Sequence, residues 1–255
     1  MGEENAERLP AMVADSWDTL KAFTAARIAL GRAGESIPVK ESLAFKLAHA
    51  HARDAVYSSL DIEMLEAELK LIELPVLKLH SRAGSRQIYL QRPDLGRLID
   101  DDSAGLLNLN LIPADICILL ADGLSAQAIN TNAIPLLKAL LPLLKRDYLL
   151  SPLCLVEQAR VAIADPIAFG LGARLSLILI GERPGLSSAE SVGAYLTYQP
   201  KPGLTDESRN CVSNIRDGGL NFPHAAQKIY YLIQEAFRKE LSGVALKDNE
   251  RLLEG

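Results

Sequence analysis

The stretch Arg174-Leu-Ser-Leu-Ile-Leu-Ile-Gly-Glu-Arg-Pro-Gly-Leu-Ser-Ser188 governs how the rest of the chain is read. From Leu175 to Ile180 only Ser176 is polar. A run so short and so apolar predicts a strand buried on both faces, as in a parallel sheet covered by helices. The chemistry then changes within one residue. Gly181, Glu182, Arg183, Pro184 and Gly185 crowd into a turn just beyond the carboxyl end of that strand, the edge of an open α/β sheet where ligands sit. The glycines let backbone approach a bulky partner, Pro184 fixes the turn, and Glu182 and Arg183 offer an acceptor and a donor.

Working outward, Asp115–Ala121 predicts a second buried strand. It runs into Asp122-Gly-Leu-Ser125 and a helix over Ala126–Lys145, with Ser125 as cap and Pro135 and Pro142 as points of kinking. Pro152–Gly172 reads as a connection around Val161 followed by a helix that Gly170 and Gly172 end. Beyond the central strand come a strand at Gly193–Tyr198, a short extended piece at Cys211–Ile215, and a last helix capped by Asn221. Ala225, Ala226, Ile229, Leu232, Ile233 and Phe237 form the apolar face of that helix. Strands alternating with helices predict an α/β fold with a mostly parallel sheet and flanking helices.

The upstream part is expected to be mainly helical. Thr24 predicts an N-cap for a helix through Ala26 to Leu30, a helical period runs from Lys40 to Ser58, and Asp61 caps a third helix. An amphipathic turn is expected around Val13–Leu20, a short strand over Val76–Leu79, and an extended piece over Ile88–Pro93. The expected division is therefore a lead-in over 1–23, a helical region over 24–104 and an α/β domain over 105–255.

Composition narrows the function classes. With 255 residues, 49% hydrophobic and 23% charged, the chain can bury a sizeable core. The net charge of −5 comes without a basic stripe interleaved with aromatics, so nothing points to nucleic acid. No apolar run is long enough to span a bilayer, and Met1–Pro10 is acidic and polar rather than signal-like. Three cysteines, Cys117, Cys154 and Cys211, with no Cys-x-x-Cys pair, suggest free thiols in a reducing cytoplasm. The four histidines have no metal-ligand spacing; His49 and His51 point to different sides of a helix. No metal site and no catalytic residue is expected.

Two segments carry more polar chemistry than a core needs. One is Gly181–Ser188; the other is Asp206-Glu-Ser-Arg-Asn-Cys-Val-Ser-Asn-Ile-Arg216, which surrounds Cys211 with donors and acceptors. Asp122–Ser125 also follows a strand and opens a helix, so it could hold an anion at the helix N-terminus. That leaves open a stand-alone α/β phosphate- or nucleotide-binding protein.

Several motifs together resemble the small (light) subunit family of ethanolamine ammonia-lyase. They are Arg160-Val-Ala-Ile-Ala-Asp165, Leu179-Ile-Gly-Glu-Arg-Pro-Gly-Leu-Ser-Ser188, Tyr195-Leu-Thr-Tyr198 and Arg209-Asn-Cys-Val-Ser-Asn-Ile-Arg216, with Thr24-Ala-Ala-Arg-Ile-Ala-Leu-Gly-Arg-Ala-Gly34, Tyr89-Leu-Gln-Arg-Pro-Asp-Leu-Gly-Arg97 and Asp122-Gly-Leu-Ser-Ala126 upstream. The likeness runs in order from about residue 24 to the last helix. It implies a Rossmann-like α/β domain over 105–255 that contacts cobalamin. It further implies an adenosylcobalamin-dependent lyase that turns ethanolamine into acetaldehyde and ammonia. In that family a large subunit holds the substrate and the radical chemistry, and the small subunit covers the lower side of the corrin ring at their interface. The family's cofactor contacts fall here on Val161, Glu182 and Cys211. No Asp-x-His-x-x-Gly motif is present, so the base-on form of the cofactor is expected. The family's Gly-Asp-Glu-Ile stands here as Ala164-Asp-Pro-Ile167, which alters the turn beside Val161. The implied location is cytoplasmic, with a bacterial microcompartment as the further expectation.

Overall fold

The structure, a computed structural model, describes residues 15, 17–24, 26–109 and 111–248. The chain divides into two units, Met1–Asp54 with Gly185–Ser188, and Ala55–Pro184 with Ala189–Gly255. In the smaller unit a 3₁₀ turn spans Asp18–Phe23, and helix α1 starts at Val39 and runs to Tyr57. Arg27 donates to the Leu186 carbonyl at 3.1 Å, and its guanidinium lies over the Phe45 ring. The turn expected around Val13–Leu20 lies partly outside the described residues. The helix expected from Thr24 is not formed. The Thr24 hydroxyl accepts from Ala26 N, a turn closed too early to launch a helix, and Ala29 takes a left-handed φ of 50°.

The larger unit is built on one six-stranded sheet in the order β1-β3-β2-β4-β5-β6. The strands are β1 (Val76–His80), β2 (Ala114–Ala121), β3 (Leu153–Glu157), β4 (Ala173–Gly181), β5 (Val192–Tyr198) and β6 (Asn210–Ile215). The first four strands of that order pair in parallel, whereas β4–β5 and β5–β6 pair antiparallel. The sheet is therefore mixed: three of its five pairings are parallel, as expected, and the β5–β6 edge runs antiparallel. The physical reason is the short return from β4 to β5: ten residues, 182–191, hold no crossover helix, and a parallel connection needs one. Strand β3 is a correction, since its segment reads in sequence as a connection.

Six further helices flank the sheet: α2 (Ile62–Lys70), α3 (Arg86–Gln91), α4 (Asp101–Leu109), α5 (Ala126–Asp147), α6 (Ala164–Gly170) and α7 (Phe222–Lys239). Alternation along β2 separates two cores. Ile116, Ile118 and Leu120 meet α2, α5 and α7 on one face. Cys117, Leu119 and Ala121 meet α4 and α6 on the other. Right-handed crossovers demand this: α5 leads from β2 out to β3 and α6 leads back past β2 to β4, so the two helices cover opposite faces. On β4, Leu175, Leu177 and Leu179 join the first core and Ile178 and Ile180 the second, as the opening run predicts. Helix α5 runs through Pro135 and Pro142 as one element. Asp61, Ser125 and Asn221 cap α2, α5 and α7 as expected. Pro166 sits in the first turn of α6, where its missing N–H costs nothing.

The extended piece expected over Ile88–Pro93 is instead α3. Ser85 accepts from Ile88 N at 3.3 Å to cap it, and Tyr89 is wholly buried with its hydroxyl donating to the Ala159 carbonyl. Among the described residues no helix is long and apolar enough to cross a membrane.

Candidate functional site

The turns that follow β2, β3 and β4 emerge at one edge of the sheet because those strands are parallel. Glu182 follows β4 directly. Its backbone N–H bonds the Ser191 carbonyl at 2.9 Å, and its carboxylate accepts from the Ser191 hydroxyl and, at 3.2 Å, from Asn214 N. Asn214 can aim its N–H there because it takes a left-handed φ of 60° beside the irregularity in β5–β6 pairing. The carboxylate is thus held in place yet stays half-buried, with lone pairs left over.

Cys211 and Tyr195 are register partners on β6 and β5, and Tyr195 pairs in turn with Ile178 of β4. Their side chains share the face that α4 and α6 cover farther along the sheet. At β5 and β6 that cover has ended, and Cys211 is exposed. Although the residue is exposed, partial desolvation of its sulfur raises the thiol's pKa above its ordinary value, Tyr195 pulls it down, and the Glu182 carboxylate pushes it up. Burial, then Cys211, likewise raises the Tyr195 hydroxyl.

Val161 opens a 3₁₀ turn after β3 and lies over the same patch. Two open hollows meet there. One, of about 410 Å³, is lined by Arg160, Val161, Glu182, Arg183 and Tyr195 among others. The second, of about 370 Å³, adds Arg97, Asp206 and Cys211 to the shared Arg160, Val161 and Tyr195. The three residues picked from sequence therefore gather around Tyr195, which sequence reading quoted within a motif without giving it a place in the site. Cys211 also borders a hollow of about 490 Å³ between β6 and α7.

Two buried acids hold these walls. Asp165, 2% exposed, pairs with the guanidinium of Arg209, which also bonds Asp206 at 3.1 Å and the Thr205 carbonyl at 2.6 Å. That ties the start of α6, next to Val161, to the strand bearing Cys211. Burial raises the Asp165 carboxyl's pKa, and Arg209 opposes it. Asp122, also 2% exposed, accepts from Gly123 N at 2.8 Å, Gln158 N at 2.8 Å and Ala159 N at 3.0 Å, with Arg86 at 3.5 Å. It fastens the β2 and β3 turns together. Here too burial, the largest influence, pushes the carboxyl up against these donors.

The Asp122–Ser125 turn is thus closed by its own chain. Leu124 N bonds the Gly181 carbonyl at 2.9 Å, Gln127 N bonds the Ser58 hydroxyl at 3.0 Å, and Ala128 N bonds the Ser125 hydroxyl at 3.3 Å. Three of the N–H donors at this turn are thereby engaged within the chain. Gly181 follows the same logic: a Cβ there would lie 2.0 Å from the Ser125 carbonyl oxygen. Its bulky neighbour is this chain's own backbone. Gly193 differs, since its missing Cβ would meet the Tyr195 ring at 2.9 Å and the Glu182 carboxylate at 3.2 Å. That keeps the floor of the patch low.

Residues 14–247 match the family model described as Ethanolamine ammonia-lyase light chain (EutC). The chain is 47% identical to the ethanolamine ammonia-lyase small subunit of Ralstonia nicotianae, over 97% of this chain and 94% of that one. It is 48% identical to that of Xanthomonas campestris pv. campestris, over 92% and 88% of the two chains, and 49% identical to that of Azotobacter vinelandii, over 95% and 91%. With nearly its full length matched, this chain belongs to the ethanolamine ammonia-lyase light chain family.

Proposed function

We propose that this chain is the small subunit of an adenosylcobalamin-dependent ethanolamine ammonia-lyase and forms one wall of the corrinoid site against a large subunit. The observation that carries the corrinoid part is the convergence of Val161, Glu182 and Cys211 around Tyr195 on the uncovered end of the sheet. The donor set suits a broad, flat group fringed with amides. Val161 and the Tyr195 ring give apolar surface, the fixed Glu182 carboxylate accepts from amide N–H groups, and Gly193 leaves room for close approach. When bound, the cofactor supplies a carbon radical from its cobalt–carbon bond. This chain's own residues bind, orient and exclude water from one side, and no bond-making step is assigned to them.

The Rossmann-like reading rests on the parallel core β1-β3-β2-β4 with crossover helices on both faces. The cofactor-contacting part is residues 105–255, to which Tyr89 and Arg97 add walls from upstream. A cytoplasmic location, with a bacterial microcompartment as the further expectation, goes with the same reading.

The test is acetaldehyde release from ethanolamine and adenosylcobalamin by the cognate large subunit, with and without this chain. Release only when both chains are present is the expected result. Release by the large subunit alone at the same rate would remove the proposed role.

A further inference from the structure

The charges around the two hollows do not balance. Arg209 is matched by Asp165 and Asp206, but Arg97, Arg160 and Arg183 make no ion pair among the described residues. In the smaller hollow, which Glu182 does not line, the unpaired charges are Arg97 and Arg160 alone. A site with two unmatched guanidinium groups on a chain of net charge −5 calls for an anion.

Arg160 is also held ready. Its guanidinium lies 4.2 Å from the ring centroid of the buried Tyr89, and Arg86 lies 4.6 Å from the same ring. Arg86 is fixed by the Val56 and Gly123 carbonyls and by Asp122. The backbone N–H of Arg160 bonds the Gly96 carbonyl at 2.7 Å, and a Cβ at Gly96 would strike the Arg160 stem at 2.9 Å. One Nη of Arg160 donates to the Tyr89 carbonyl at 3.4 Å, whereas Nε is buried with no partner. A guanidinium pre-set by stacking, with no carboxylate partner and donor capacity left over, suits capture of a phosphate or carboxylate.

We infer that Arg160, aided by Arg97, holds an anionic group of the bound ligand beside Val161. On the corrinoid reading, on which this inference rests, that group is the phosphodiester of the cofactor's nucleotide tail. Arg160 is then a specificity-determining residue: it distinguishes a complete corrinoid from one that ends at the ring amides.

The test compares cyanocobalamin with dicyanocobinamide, which lacks the nucleotide and its phosphodiester, in visible-absorption titrations of the assembled two-subunit complex. Arg160→Gln is expected to weaken cyanocobalamin about ten- to a hundredfold and to leave dicyanocobinamide unchanged. Arg160→Lys, which keeps the charge but loses the stacked fork, should recover part of the difference, and it carries the comparison if the glutamine variant does not assemble. Equal weakening of both corrinoids, or of neither, would overturn the inference. Failure of the unsubstituted complex to take up either corrinoid would overturn the corrinoid reading itself, and this inference with it.

Discussion

The turns after β2 and β4 leave neighbouring strands at the same edge of the sheet, and each sets an acid beside a glycine. They are used in opposite ways. Asp122 is turned inward, 2% exposed, and spends its oxygens on three backbone N–H groups of its own chain. Glu182 is half-buried, is fixed by Ser191 and Asn214, and lines an open hollow. A strand end becomes a site where the chain leaves hydrogen-bonding capacity unspent. An acid there whose partners are already supplied is part of the frame.

The largest effect should come from the inward turn. Asp122→Ala removes the acceptor of three backbone donors and strands Arg86, so a loss of about 3–5 kcal/mol is expected in urea unfolding of the chain. A loss below about 1 kcal/mol would mean that the two turns are not different in kind. Gly181→Ala, with its Cβ 2.0 Å from the Ser125 carbonyl oxygen, should cost about 3 kcal/mol by forcing the two turns apart.

The buried acid should also mark the pH profile. Burial raises the folded pKa of Asp122 above the unfolded value, so between the two values the folded chain binds more protons. Its contribution is complete below the unfolded value of about 3.9 and is lost as pH rises through the folded one, at no more than about 1.4 kcal/mol per pH unit. Urea midpoints measured upward from about pH 4 should decline, and Asp122→Asn should flatten that decline. An unchanged slope in the variant would show that the donors outweigh the burial.

The outward turn should behave in the reverse sense. Glu182→Gln is expected to leave the urea midpoint in place while weakening cyanocobalamin binding by the assembled complex about tenfold. The smallest effect is that of Cys211→Ala, about two- to threefold on the same titration, since an exposed thiol at the margin gives up little contact. If the order of these two were reversed, the ligand would sit nearer β6 than the β4 turn.

These contrasts explain what sequence could disclose. Strands β2 and β4 and helices α5 and α7 announce themselves through uninterrupted apolar runs or a regular apolar face between clear caps. Strand β3 did not, because Leu153–Glu157 is five residues long and follows Leu149-Leu150-Ser151-Pro152 with no change of pattern. Ile88, Tyr89 and Leu90 favour a strand, yet tertiary contacts outweigh propensity there: Tyr89 is drawn between two guanidinium groups and onto the Ala159 carbonyl, and the segment coils as α3. At the site, Glu182 and Cys211 stood out as polar residues beside apolar strands. Tyr195 and Arg160 did not: an aromatic in a strand looks like core and an arginine in a loop looks like solvent-facing charge. The sign of β5 pairing decides their meeting, and only the short connection before it hints at that sign.

The three bonds to Asp122 carry one more consequence. Loop amides ordinarily trade their hydrogens with solvent through brief local opening, but those of Gly123, Gln158 and Ala159 end on a carboxylate inside the protein. Their exchange should follow global unfolding, at the pace of the central strands, although none of them lies in a helix or strand. One side of the site is then as stiff as the core on the timescale of ligand arrival.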